Sequence, residues 1–340
     1  MKTILAAAAF LALPDLAAAE EFTLRIQHFV SNSSSNPKYF LIPWAEKIEA
    51  ESGGRIDVEI YPLMQLGGKA QSQYDLIRDG AIDAGWVVPS YQPGRFPEAE
   101  ALELPFLTPK SAEVASRAAW HFAEEHLMDD FADVRLIAAH MHGPGIVHKK
   151  GGALETAEDF DGLKLRGPSR PATLLLEKLG AVPIGMPVPA FPEALARGVL
   201  DGGVITWEMA PSLKLDELAD SHTDVAGDRS FYNLFFIWAL NEEWYQSLPE
   251  DLKAVIDANS GLMASEWAGR AYDQGDIEAR AMLEAAGNTV AELGEAETEI
   301  LRELGREVTD AWIEDATGRG LDGAGLVADA RRLMDASEAE

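Results

Sequence analysis

The 340-residue chain has no cysteine, which excludes disulfide staples and thiolate metal centres and leaves packing as the source of stability. Positive charge is scarce. Lys and Arg number 28 against 57 Asp and Glu, giving a formal charge of −29, and such a surface repels phosphate backbones and anionic lipid. Nucleic acid is therefore excluded as a partner. Beyond the first nineteen residues no segment approaches twenty continuous apolar residues, so no membrane span is expected in the mature chain. HExxH, GxSxG and EF-hand patterns are missing, and "GGK" at 67–69 lacks the rest of a phosphate loop. Gly318, Gly320 and Gly323 satisfy GxGxxG, but a helical pattern precedes them and no βαβ unit follows, so they read as a helix stop. No cofactor and no metal are expected.

What is present begins with "MKTILAAAAFLALPDLAAA". Lys2, an apolar run from Ile4 to Leu13, Pro14 and the small residues Ala17 to Ala19 have the build of a signal peptide over residues 1–19, with cleavage before Glu20 and export to the periplasm. The apolar run is too short for a membrane anchor. The remaining chain, in a sequence 47% hydrophobic and 25% charged, has room for two domains.

"FTLRIQHF" at 22–29 and "RIDVEIYP" at 55–62 alternate apolar and polar residues, the strand period. Between them Phe40, Leu41, Trp44 and Ile48 fall at helical spacing, closed by Gly53 and Gly54. A helix around 69–79 and a strand in "GAIDAGWVVPS" continue a β-α-β-α-β order, which predicts an α/β fold with helices on the sheet faces. The same grammar recurs after residue 130, in "VRLIAAHMHG", "GIVHKK", "LEKLGAVPIG" and "FPEALARGVLDGGVIT". "SFYNLFFIWALN" predicts an apolar strand. Ser247, with Glu250 three positions on, predicts a capped helix that runs to Gly287 without a further proline and is long enough to straddle two domains. "NTVAEL" predicts a last strand and "EAETEILRELGREVTDAWIEDA" a terminal helix.

Arg166 is the leading candidate site residue. In "DGLKLRGPSR" it follows a strand-like "GLKL" and precedes a proline loop, so it emerges at a strand's carboxyl end, where a guanidinium can fork onto a carboxylate. Arg170 is read as a solvated or structural partner for acidic groups. Trp86, Tyr91, Trp207, Phe231 and Tyr232 mostly sit at ends of predicted strands, which face the ligand crevice in open α/β sheets; core packing is the preferred reading for any one of them alone, and Trp207, ending "GGVITW" before Pro211, is expected at the cleft rim. His140 and His142 share a strand face without a third ligand nearby, so they are satisfied core histidines unless His142, beside Gly143-Pro144-Gly145, lines a pocket. The candidate binding set is Arg166, Trp207, Trp86, Tyr91, His142, Tyr232 and His28.

"FVSNSSSNPKYFLIPWAEKIEAESGGRIDVEIYPLMQLGG", "LIRDGAIDAGWV", "ETAEDFDGLKLRGPS", "LGAVPIGMP", "EALARGVLDGG" and "NEEWYQSLPEDLKAVI" occur in this order and spacing, and through them the chain resembles the DctP-type periplasmic solute-binding proteins of TRAP transporters, the tripartite ATP-independent carriers. The resemblance covers nearly the whole mature chain. It implies a two-lobed periplasmic binding protein fold, each lobe a mixed sheet flanked by helices, joined by crossing strands and a long spanning helix. The expected layout is lobe I from 20–142, lobe II from 143–230, a crossing strand returning to lobe I over 231–250, the spanning helix over 251–287, and a C-terminal strand and helices over 288–340.

The resemblance also implies that Arg166 pairs with a substrate carboxylate and that Trp207 lines the pocket. "HGPGIVHKK" departs from relatives that carry a second arginine there, which argues against a sialic-acid-like ligand. The expected function is an extracytoplasmic receptor, monomeric, that closes around a small organic monocarboxylate (aromatic, branched or 2-oxo) and delivers it to the TRAP permease subunits. A periplasmic enzyme on a small carboxylic acid and a sensing partner of a signalling receptor are the alternatives; no nucleophile with a matched base stands out for the first.

Overall fold

The computed structural model describes residues 21–339; the expected leader over 1–19 lies outside them. The strands are β1 (Phe22–Gln27), β2 (Ile56–Tyr61), β3 (Ala84–Val87), β4 (Val134–Met141), β5 (Gly145–Lys149), β6 (Lys164–Gly167), β7 (Val182–Gly185), β8 (Gly202–Thr206), β9 (Ser221–Val225), β10 (Phe235–Asn241) and β11 (Thr289–Leu293). They form two sheets, ordered β2-β1-β3-β10-β4 and β11-β9-β5-β8-β6-β7. Both are mixed. In the first, β1 runs parallel to β2 and β3 while β10 is antiparallel to β3 and β4. In the second, β6 is parallel to β7 and β8, and β5 is antiparallel to β8 and β9.

The alternation that predicts β1 is realised as burial: Leu24 and Ile26 are fully buried, Thr23 and Arg25 exposed. The chain passes from the first sheet to the second at 142–144, between β4 and β5, and returns over 226–234, between β9 and β10. Those two segments, with a long helix, join the lobes.

The α-helices are α1 (Ile42–Glu51), α2 (Gln73–Arg78), α3 (Ala112–Phe122), α4 (Arg170–Lys178), α5 (Phe191–Ala196), α6 (Ala210–Leu213), α7 (Leu215–Leu218), α8 (Glu242–Ser247), α9 (Glu250–Ala258), α10 (Leu262–Ala286), α11 (Glu295–Gly318) and α12 (Gly323–Glu338). The single helix expected over 251–287 is two. Gly261 separates α9 from α10 at φ +82°, a conformation that suits a residue without a Cβ, and its N–H donates to the Ile137 carbonyl of β4 at 2.8 Å. A helix of 25 residues is roughly 37 Å long. α10 packs on α3 and β4 of the first lobe and on α6 and β11 of the second, with Ala264, Ala268, Ala271, Gly275 and Ala279 among its buried residues.

Two further expectations are corrected. Ser247 does not cap the following helix: it ends α8, and its hydroxyl donates to the Trp244 carbonyl. Pro249 stands at the start of α9 instead, and a proline forces the residue before it out of helical geometry, as Leu248 at ψ 144° shows. Gly318 does end α11 and Gly320 follows it at φ +91°, but Gly323 opens a further helix, α12. The Asp322 carboxylate accepts from the Gly325 N–H at 2.9 Å to begin it, and it packs on α3.

Candidate binding site

Between the lobes lies a cavity with about 370 Å³ of empty space. It is small and closed. First-lobe walls come from Phe29 and Val30 after β1, Trp86 on β3, Tyr91 beyond it, Phe236 on β10 and Tyr272 on α10; His142, Tyr232 and Leu234 come from the crossing segments. The second lobe contributes Arg166, Val188, Ile205, Thr206, Glu208 and Met209.

Trp86 organises the aromatic side. Its indole is stacked on Phe29 at 4.9 Å, on Phe236 at 5.2 Å and on Trp238 at 5.4 Å, all within 26° of parallel. Its N–H donates to His140 Nε2 at 3.0 Å, so His140 carries its proton on Nδ1. Burial drives the His140 pKa down to about 3, which keeps the ring neutral.

Arg166 sits on β6 and is 2% exposed. Nε donates to the Met186 carbonyl at 3.0 Å, Nη1 to the Val204 carbonyl at 2.8 Å, and Nη2 reaches the Tyr91 hydroxyl at 3.4 Å. Each acceptor is neutral, and among the described residues no carboxylate lies within 4.0 Å of the guanidinium. Leaving a buried charge unpaired costs several kcal/mol. The side chain has room because Gly203 faces it across the β6–β8 ladder: a Cβ there would lie 2.7 Å from Arg166 Cβ and 2.7 Å from the Phe191 ring. Arg170 is separate from this group and pairs with Asp315 at 2.8 Å.

His142 lines the cavity with both ring nitrogens engaged. Nδ1–H donates to the Gly143 carbonyl at 2.6 Å, and Nε2 accepts from the Leu234 N–H at 3.0 Å. It therefore offers a ring face rather than a hydrogen bond; burial first, then the nearby Arg166 charge, holds its pKa at about 3. Burial also raises the hydroxyl pKa of Tyr232, against the pull of Arg166.

Five of the seven candidates thus meet at one cavity: Arg166, Trp86, Tyr91, His142 and Tyr232. Trp207 and His28 do not line it. Trp207 follows β8, and its ring turns away from the neighbouring Thr206 and Glu208 to pack against His148 and His222, with the Arg280 guanidinium 5.5 Å from its centroid. Strand-like alternation sends neighbours to opposite faces. His28 is buried behind the wall, its Nε2 on Asn32 at 2.9 Å and its ring edge-on to Trp238, while the next residue, Phe29, reaches the cavity.

Glu208 and Tyr272 escaped the sequence reading. For Glu208 the signal was available, since it neighbours Trp207 and takes the opposite face. Tyr272 carried none, because a tyrosine in a small-residue helix resembles any core residue.

Two α/β lobes closed on a small aromatic cavity with one buried, uncompensated cation define a binding protein for an anionic solute. The chain belongs to the bacterial extracellular solute-binding protein family 7, DctP, which matches residues 26–315. Among solved structures it is similar to a TRAP solute-binding protein from Rhodoferax ferrireducens T118 in complex with copurified benzoate: 40% identity over 93% of this chain and 98% of that one, TM-score 0.90. A marine-metagenome TRAP protein specific for aromatic acid ligands, solved with 3-hydroxybenzoate, is 42% identical over 94% of this chain and 99% of that one, TM-score 0.91. A Bordetella bronchiseptica TRAP protein with bound (R)- and (S)-mandelate is 30% identical over 92% and 98%, TM-score 0.83. The chain is a solute-binding component of a TRAP transporter, not an enzyme.

Proposed function

We propose that this protein captures a small aromatic monocarboxylate between its lobes and hands it to the membrane subunits of its transporter. The observation that carries the reading is Arg166, a buried guanidinium without an anion in a cavity walled by Phe29, Trp86, Tyr91, Tyr232 and Phe236. A ligand carboxylate supplies the missing charge through a charge-assisted pair, and a flat ring suits aromatic walls better than a hydroxyl-rich chain does. The similar proteins that hold benzoate, 3-hydroxybenzoate and mandelate support the same class. Among the branched, 2-oxo and aromatic acids expected from sequence, aromatic acids fit best.

Closure provides the mechanism. Arg166 belongs to the second lobe and most of the aromatic wall to the first, so a ligand touching both favours the closed state. Release needs only reopening about the crossing segments. Export through the leader at 1–19 places this receptor in the periplasm, where it works as a monomer. The test is calorimetric titration of the mature protein with benzoate, a branched-chain acid and a 2-oxo acid. Benzoate-type acids are expected to bind tightest; binding confined to the other classes would remove the aromatic reading.

A further inference from the structure

The cavity wall carries two further polar groups that form no hydrogen bond or salt bridge with Arg166 among the described residues. Glu208, just past β8 and 3% exposed, uses one carboxyl oxygen to accept from the Thr206 hydroxyl at 3.0 Å. Its Oε2 is buried without a hydrogen bond of good geometry, and the Ser35 hydroxyl and N–H beside the carboxyl only partly offset the effect of burial. Tyr272, on α10 and 1% exposed, has a buried hydroxyl without a hydrogen-bond partner. Both residues line the cavity. They come from different elements held together: the Glu208 N–H donates to Asp276 Oδ1 on α10 at 2.9 Å, and a Cβ on Gly275 would lie 2.9 Å from Glu208 Cβ.

A buried polar group without a partner costs roughly 1–3 kcal/mol. Two on the wall of one cavity point to something the ligand brings. An unsubstituted ring satisfies neither, whereas a hydroxyl donates one hydrogen bond and accepts others. Arg166 forms no salt bridge with Glu208 among the described residues, so the guanidinium stays free for the ligand carboxylate. We infer that Glu208 Oε2 and the Tyr272 hydroxyl form a subsite for a ring hydroxyl, which makes the receptor selective for hydroxylated aromatic acids. This rests on the aromatic-acid reading above. Burial holds the Glu208 pKa at about 7, and a hydroxyl partners the carboxyl in either protonation state, by donating to the carboxylate or accepting from the acid.

The experiment titrates the full mature chain, and its Tyr272→Phe and Glu208→Met variants, with benzoate, the three hydroxybenzoates and the methylbenzoates of matching position. In the unaltered protein one hydroxy isomer is expected to bind about tenfold or more tighter than its methyl counterpart. That ratio should fall to about threefold or less in both variants. Because the readout is a ratio, a general loss of affinity cancels, and Tyr272→Phe decides the matter if Glu208→Met folds poorly. A ratio that survives Tyr272→Phe, or no hydroxyl preference at any position, overturns the subsite while benzoate binding leaves the wider reading standing. Failure of every benzoate to bind overturns both.

Discussion

The Tyr91 hydroxyl is held by two groups of the opposite lobe: it accepts from the Val188 N–H at 3.1 Å and lies 3.4 Å from Arg166 Nη2. Both contacts cross the cleft and can form only while it is closed. Tyr91→Phe keeps the ring and removes them. Affinity is expected to fall about 3- to 30-fold, chiefly through faster ligand dissociation. Stopped-flow release from the variant checks this, and an unchanged dissociation rate would count against a latch.

Arg166→Gln removes the charge while keeping some hydrogen bonding. Truncating one partner of a buried charge pair costs about 2–5 kcal/mol, so binding should weaken roughly 30-fold or more, with most of the ligand-induced rise in Tm lost. Arg166→Lys should also bind weakly, because a point charge cannot hold the Met186 and Val204 carbonyls and fork onto a carboxylate. Near-normal binding by either variant would displace Arg166 from the centre of recognition.

Gly203→Ala places a methyl 2.7 Å from both Arg166 Cβ and the Phe191 ring. Overpacking of this kind costs about 1–3 kcal/mol. The variant is expected to melt lower and to bind its acid less tightly, since the strain falls on the strand that aims the guanidinium. A lower Tm with unchanged affinity would confine the role of Gly203 to packing.

Glu103 is buried, with one oxygen accepting from the Phe235 N–H at 3.0 Å and the other unpartnered. Burial pushes its pKa up from 4.5 to about 8. A folded-state pKa above the unfolded value means its contribution to stability is fully present below about pH 4.5 and is lost as pH rises through about 8. Glu103→Gln should therefore gain on the parent across that window, by at most about 1.4 kcal/mol per pH unit. Denaturant midpoints at pH 5 and pH 9 test it, and a pH-independent difference would contradict it.

Trp207→Phe separates core from cavity. With its ring against His148, His222 and Arg280, the change should lower Tm while leaving ligand affinity within about threefold. A selective loss of affinity would return Trp207 to the binding wall.

Local patterns were enough for most elements and for the leading site residue. Period-2 alternation is a short-range property, so β1 and β2 were legible from "FTLRIQ" and "IDVEIY". Arg166 stood out because a cation between a strand and a proline loop has few structural explanations. β9, "SHTDV", was missed because its buried residues are largely polar and are paired through side chains such as His148 with His222. The break at Gly261 was missed because helical spacing continues through it while β4 claims its N–H.

Composition and periodicity defined an acidic, cysteine-free α/β chain with room for two domains and Arg166 as its leading candidate residue, while the two-lobed receptor was implied by the resemblance to TRAP solute-binding proteins. Which side chains share the cavity was decided by tertiary structure alone. Trp207 and Glu208 are chain neighbours, yet one enters the core and the other the cleft, and Tyr272 reaches Arg166's cavity from a helix more than a hundred residues away. Such convergence depends on how two sheets and a spanning helix dock, and docking is fixed by long-range packing that no local pattern records.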